Sequence, residues 1–217
     1  MKHPAPPYTP SSDDMALLPP FPALNLAHIT LVRTAAQACD AWESLRQHPV
    51  WGFDTESKPT FFKDQVSDGP HVLQLATTDH AWVIQLHDAD CRAEVARWLA
   101  NPAHQKAGFG LGDDTKRLRR KLLVEPDGVV ELNTLFRQRG YRREMGVKAA
   151  VAVLFGQRFA KSKKAATSNW AALNLSEQQV RYAANDAYAA AWVYAALQRG
   201  QAPVPPPAAA PTPAPQP

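Results

Sequence analysis

Cysteine is scarce in this chain: Cys39 and Cys91 are the whole supply in 217 residues. Two cysteines make no disulfide framework, and without metal-ligand spacing or a cluster of histidines they make no zinc site, so a reducing compartment is the default. Long apolar runs are missing too. No stretch approaches the ~18 residues that a membrane span needs, and Met1-Lys2-His3-Pro4 leads into prolines instead of the apolar core of a secretion signal. A soluble, cytoplasmic protein without a membrane partner is expected. The chain also has no internal repeat, and its last 17 residues carry no charge.

Proline is plentiful but concentrated where it cannot serve a core. Residues 1–24 hold seven and residues 201–217 hold eight, so 15 of the 20 lie near the ends. Segments of this composition bury too little surface to offset the loss of chain entropy. Residues 1–24 and 201–217 are therefore expected to be disordered tails. Between them, residues 25–200 form one domain, long enough to bury a sizeable core.

The formal net charge is only +4, yet its distribution is lopsided. Residues 116–164 carry 14 of the 24 lysines and arginines against four acids, Glu125, Asp127, Glu131 and Glu144, a local excess of ten. Solvated helix faces account for any single cluster of this kind. A basic half beside a carboxylate site also suits a polyanion whose backbone must be held while one phosphate is attacked.

Strand-like and helix-like periods alternate along the domain. Residues 28–33, 50–56, 71–76, 81–86, 106–111 and 129–132 read as strands, and 34–47, 90–100, 113–123 and 145–154 as helices. Thr34 is a plausible N-cap, and Thr77-Thr78-Asp79-His80 is a tight turn joining two strands. A further helix opens at Ser176-Glu177-Gln178-Gln179, which matches a capping box, and ends near Gly200. Elements in this order make an α/β fold with a mixed central sheet, since the hairpin rules out an all-parallel one.

Three short stretches carry the candidate chemistry. In Trp51-Gly52-Phe53-Asp54-Thr55-Glu56 an apolar run ends in two carboxylates that share one strand face, about 7 Å apart. Like charges at the end of an apolar strand favour a cation between them, although a solvated strand end fits the pair equally well. Gly108-Phe109-Gly110-Leu111-Gly112-Asp113-Asp114 lacks the G-x-G-x-x-G spacing of a dinucleotide loop, and its acids would repel a phosphate. There, one of the two aspartates is expected to cap the helix that follows, with Asp113 the better candidate. Tyr182 and Asp186 stand four apart on one helix face, a pairing that a buried tyrosine beside an exposed acid would also produce.

Taken together and in this order, Phe53-Asp54-Thr55-Glu56, Gly108-Phe109-Gly110 with Asp114, and Tyr182-x-x-x-Asp186 resemble the three motifs of the DEDDy class of 3′-to-5′ exonucleases. Lys161-Ser162 through Ser168-Asn169-Trp170, Leu175-Ser176-x-x-Gln179 and Tyr182-Ala183-Ala184-x-Asp186-Ala187-Tyr188 are especially similar to Werner-type exonuclease domains and RNase D. Arg181 stands five before Asp186, so the sister class that uses a histidine there is excluded. The resemblance covers about residues 28–198. It implies a ribonuclease-H-like three-layer fold, a central mixed sheet flanked by helices, with the first motif on its first strand. The chain leaves no room for a helicase or for extra helical domains that grip RNA, so a role in transfer-RNA maturation is not expected.

The implied reaction is hydrolysis of DNA or RNA from the 3′ end to nucleoside 5′-monophosphates. Cleaving a phosphodiester requires an in-line water, charge neutralisation at the phosphate and help for the departing oxygen, which two divalent ions supply together. Carboxylate oxygens favour Mg²⁺ or Mn²⁺. The expected assignment has Asp54 bridging both ions, Glu56 and Asp186 completing the site that activates water, and Asp114 holding the second ion through water, with Tyr182 positioning the attacking water or assisting its deprotonation. Thr55, Lys161, Lys163 and Lys164 are the expected substrate contacts. The rival from another class is a nucleic-acid-binding module of the same fold with idle acids; a missing carboxylate would favour it, and none is missing.

Overall fold

The computed structural model describes residues 7–60 and 68–204. In chain order these form helix α1 (Ser12–Leu17), strand β1 (Ile29–Val32), α2 (Ala35–Leu45), β2 (Val50–Glu56), β3 (Val72–Ala76), β4 (Ala81–Gln85) and α3 (Ala89–Ala100). There follow β5 (Gln105–Gly108), α4 (Leu111–Leu122), β6 (Val129–Glu131), α5 (Leu132–Gln138), α6 (Gly146–Phe155), α7 (Lys163–Ala166) and α8 (Glu177–Gln198). The six strands make one sheet in the order β1-β4-β3-β2-β5-β6. β2, β3 and β4 run antiparallel to their sequence neighbours, whereas β1, β5 and β6 join in parallel, so the sheet is mixed as the hairpin requires. No described helix is long and apolar enough to cross a membrane.

Alternation along the strands divides the core into two layers. Trp51, Phe53, Leu73, Leu75, Trp82 and Ile84 pack beneath α2, α3 and α4. On the other face Val72, Ala76 and Val83 meet the alanines of α8, while Ala107 packs with α5 and α6. The local signals work as their chemistry dictates. Thr34 caps α2 by accepting from the Gln37 N–H, and Ser176 and Gln179 close a reciprocal capping box on α8.

Helix α8 lies unusually close to the sheet at one point. A β-carbon on Gly52 would fall 1.9 Å from the Ala187 carbonyl oxygen and 2.6 Å from the Ala191 nitrogen. Only glycine fits there, and the alanines of α8 let the two backbones meet. Gly108 has a similar constraint: its β-carbon would stand 2.2 Å from the Phe53 carbonyl oxygen.

Three expectations need correcting. First, neither Asp113 nor Asp114 caps α4. The helix starts at Leu111, after Gly110 in the left-handed region, and the Leu111 N–H donates to the Glu131 carboxylate at 2.9 Å instead. Asp113 sits a turn in, on the surface, paired with Lys116 at 3.1 Å. Second, α5 and α7 were not anticipated, because seven and four residues are too few to display a helical period.

Third, the N-terminal segment is folded well before residue 25. α1 closes its own capping box through Ser11 and Asp14. Downstream, Phe21 N–H donates to the Arg158 carbonyl and Arg158 N–H to that of Pro19. The Phe21 ring lies within 5.6–6.3 Å of Phe155, Phe159 and Tyr188, and buried Leu24 donates its N–H to Asn185. Two apolar residues among many prolines suffice to anchor a strap once a matching groove exists. At the other end, Val204 N–H donates to Val153; the rest of the expected C-terminal tail, residues 205–217, and residues 1–6 lie outside the described residues.

Two outcomes follow from this packing. Gly52→Ala should lower stability by about 3 kcal/mol, the upper range of overpacking, because helix backbone cannot rotate aside as a side chain can. Phe21→Ala should cost about 2 kcal/mol through the lost ring contacts. Urea midpoints at unchanged m-value measure both; a shift below about 0.5 kcal/mol for Phe21→Ala would mean that the strap does not share in the fold.

Candidate active site

β2 delivers Asp54 and Glu56 to the α8 face of the sheet, and α8 turns Asp186 toward them. Gly52, two residues before Asp54 and on the same strand face, is where the helix seats, so the close approach brings the two acids and Asp186 around one cavity. That cavity has a volume of about 270 Å³ and is lined by Phe53, Asp54, Glu56, Phe109, Lys161 and Asp186, with Gly146, Val147 and Ala190. Asp186 is buried, and Asp54 and Glu56 are half-buried.

Among the described residues, Lys161 is the one cation lining this cavity. Its Nζ lies 2.8 Å from Asp186 Oδ2 and 5.3 Å from the centre of the Tyr182 ring. The loop that carries it is held firmly. Ser162 caps α7, Gln179 donates to Ser168 and Asn169, and Trp170 is fully buried with its ring 5.9 Å from that of Tyr182. Tyr182 precedes Asp186 by one turn of α8, and is itself mostly buried.

Asp114 arrives from the opposite layer. It belongs to α4, and its carboxylate accepts a short hydrogen bond from the Thr55 hydroxyl. Thr55 points away from Asp54 and Glu56, as the strand period demands, so it holds Asp114 and is not among the residues lining the cavity. Asp114 is likewise absent from the lining, although its charge still acts on both β2 acids. Lys163 and Lys164 are exposed on α7 and stand outside the cavity. Of the expected residues, the structure thus gathers Asp54, Glu56, Asp186 and Lys161, stacks Tyr182 beside Lys161, sets Asp114 behind Thr55, and leaves Lys163 and Lys164 on the surface.

Crowded carboxylates in a poorly hydrated place resist ionisation. Burial, and then the neighbouring Asp186, push Asp54 up to about 8. Burial, followed by Asp54 and Asp186, pushes Glu56 up to about 9. Burial also raises Asp186, against the pull of Lys161. It raises Asp114 as well, with the Thr55 hydrogen bond opposing. For Lys161, burial works to lower its basicity, but Asp186 and Asp54 outweigh it and the ammonium is held firmly charged. Burial and then Asp186 raise the Tyr182 hydroxyl, which keeps its proton at neutral pH.

The donor set fits hard divalent cations. Its oxygens are carboxylates, and both oxygens of buried Asp186 lack an aligned hydrogen bond, the Lys161 contact being an ion pair only. Among the described residues no three ligating side chains already converge on a point, and Lys161 supplies the positive charge against Asp186.

One polar neighbour escaped sequence reasoning. Gln74 stands directly opposite Asp54 across the β2–β3 pair, fully buried, with neither amide atom hydrogen-bonded. A glutamine in the middle of Val72-Leu73-Gln74-Leu75-Ala76 was the available signal.

Residues 29–200 match the family model described as 3′-5′ exonuclease. The chain belongs to this 3′-5′ exonuclease family. Among curated members, it is 25% identical over 149 residues to a 3′-5′ exonuclease of Arabidopsis thaliana, covering 68% of this chain and 52% of that protein. It is 28% identical over 151 residues to the mouse (Mus musculus) bifunctional 3′-5′ exonuclease/ATP-dependent helicase WRN, covering 68% of this chain and 11% of that one. The match therefore spans about half of the first relative and a small part of the second. Solved folds agree. Escherichia coli RNase D superposes with a TM-score of 0.68 at 21% identity, over 79% of this chain and 44% of that one. The Nibbler EXO domain of Aedes aegypti gives 0.67 at 22%, over 81% and 89%. The ribonuclease-H-like α/β architecture that the motifs imply is thus the fold of this protein.

The raised carboxyls set a pH signature for the metal-free protein. Their folded values, about 8 and 9 for Asp54 and Glu56, exceed the ordinary 3.8 and 4.5, so the folded state holds protons that the unfolded chain releases. That stabilisation is complete below about pH 4 and is lost as pH rises through 8 to 9. Urea denaturation in chelator should show stability falling from pH 5 to 9, and Asp54→Asn/Glu56→Gln should flatten the slope. A double variant that keeps the wild-type slope would refute the assignment.

Proposed function

We propose that this protein is a 3′-to-5′ exonuclease of the DEDDy type, hydrolysing phosphodiester bonds at the 3′ ends of DNA or RNA and releasing nucleoside 5′-monophosphates. The observation that carries the reading is the gathering of Asp54, Glu56 and Asp186 around one cavity, with Tyr182 a helical turn from Asp186, in a chain of the exonuclease family. One solved neighbour with a TM-score of 0.68 is the Trypanosoma brucei RNase D in complex with RNA U12; that protein's RNA supports nucleic acid as the substrate class here.

Asp54 would hold two divalent ions, Mg²⁺ or Mn²⁺, with Glu56 and Asp186 on one and Asp114 on the other. When bound, such ions neutralise the phosphate, activate water and stabilise the departing 3′ oxygen. The protein's own groups do the positioning. Lys161, which lines the cavity and is ion-paired with Asp186, would offer its ammonium to the phosphate. Tyr182 keeps its proton at neutral pH, so its hydroxyl orients the attacking water by a hydrogen bond and does not act as the base. Thr55 fixes the Asp114 carboxylate from behind, a positioning role in place of direct substrate contact. The exposed Lys163 and Lys164 attract the polyanion from a distance.

A time course on 5′-labelled single-stranded DNA and RNA, with Mg²⁺, Mn²⁺ or EDTA, tests this. Stepwise shortening to nucleoside 5′-monophosphates is expected, with none in EDTA. Asp54→Asn should lower turnover by at least about 10³-fold, and Tyr182→Phe by about 10- to 1000-fold with KM little changed. Cleavage of closed circular strands, or full activity in EDTA, would sink the reading.

A further inference from the structure

A second cavity, of about 280 Å³, adjoins the carboxylate site. Its lining has Ser12, Met15 and Ala16 of α1 on one side, and Lys148, Arg158 and Lys161 among the residues of the other. The two cavities share Lys161 and lie on either side of the first turn of α6, where Gly146 and Val147 line one and Lys148 the other. Lys148 is close enough for its charge to favour ionisation of Asp186.

Among the described residues, three cations and no carboxylate line this space. Lys161 is paired with Asp186, but among the described residues neither Lys148 nor Arg158 has a side-chain hydrogen bond or ion pair, and both are exposed. α1 does not neutralise them. Its Asp14 is engaged by Tyr8 and Ser11 and is not part of the lining, and Asp13 is exposed elsewhere on the helix. What α1 turns to the cavity is Met15, Ala16 and a serine. Uncommitted cations facing a wall of small and flexible side chains make a place for an anion carried on a compact body, which describes a phosphate on its sugar.

We infer that Lys148 and Arg158 form a backbone-phosphate subsite next to the reacting one, roofed by α1, which accepts a single nucleic-acid strand and excludes a duplex. It rests on the exonuclease reading and adds to it the substrate class and two specificity residues. The roof is what selects. The slot is smaller than most cavities that enclose a drug-sized ligand. It has room for one sugar-phosphate unit, while a second strand would collide with α1 and the strap that anchors it. Arg158 is also a strap contact, since its backbone exchanges hydrogen bonds with Pro19 and Phe21. The cation and the roof are thereby fixed to each other.

The test compares wild type with Lys148→Gln/Arg158→Gln, both in full-length protein, with circular dichroism to verify folding. In EDTA, fluorescence anisotropy on a labelled single-stranded oligonucleotide is measured against salt. Losing two phosphate contacts should reduce the slope of log Kd against log salt by about 1.4, at roughly 0.7 per contact for single strands. With metal, KM for the oligonucleotide should rise about 10-fold while kcat changes by less than about 3-fold, and Arg158→Lys should restore much of the loss. A blunt duplex should compete at least about 10-fold less well than the single strand. An unchanged slope, a fall in kcat with KM unmoved, or a duplex that competes equally would overturn the subsite. The p-nitrophenyl ester of thymidine 5′-monophosphate carries one phosphodiester and separates the two readings. If wild type hydrolyses neither ester nor oligonucleotide, the exonuclease reading fails, while the binding slopes still judge the subsite.

Discussion

The contact of α8 with β2 at Gly52 governs the rest of the molecule. Helices ordinarily pack on sheets through side chains; here backbone meets backbone, because one partner is glycine and the other presents Ala187 and Ala191. The alanine content of α8 is thus a packing requirement as much as a helix propensity. Bulkier residues at Ala183, Ala184 or Ala187 would lift the helix and carry Asp186 out of reach of β2. Gly108 repeats the device on the neighbouring strand against the Phe53 carbonyl, which keeps the start of α4 close to the end of β2.

Seating that helix has an electrostatic cost, and Lys161 is how the fold meets it. Three acids enter a space that favours neutral carboxyls, and one ammonium, held by a well-anchored loop, offsets part of their charge. Burial and mutual repulsion then leave the remaining acids protonated at neutral pH, ready to release protons to a stronger cation. Tyr182 is shaped by the same field. Burial first, and then Asp186 on the same helix face, hold the proton on its hydroxyl.

Features with a short-range cause were legible in the sequence. The strand period put Asp54 and Glu56 on one face, the capping box marked the start of α8, and the hairpin turn gave the antiparallel part of the sheet. Features set by distant partners were not. The N-terminal cap of α4 comes from Glu131, twenty residues on, so the local aspartates misled. Phe21 and Leu24 were lost in a proline-rich average, although two well-placed apolar side chains decide whether a segment docks. Lys161 stands out in the sequence only as one lysine of a basic run, and its partnership with Asp186 depends on a loop whose ties run through Trp170 and Gln179, which no periodicity reports. Thr55 stands between two acids in the sequence, but the strand period turns its side chain to the reverse face, where it bonds Asp114.

That reverse side has a consequence for registry. Asp54, Glu56 and Asp186 share one layer boundary, whereas Asp114 hangs from α4 beneath the sheet and reaches the others through the Thr55 hydroxyl. A small slide of α4 along the strands, well short of unfolding, shifts one carboxylate and leaves three in place. Loss of registry between the two layers would part Asp114 from the other three acids without changing a single helix or strand.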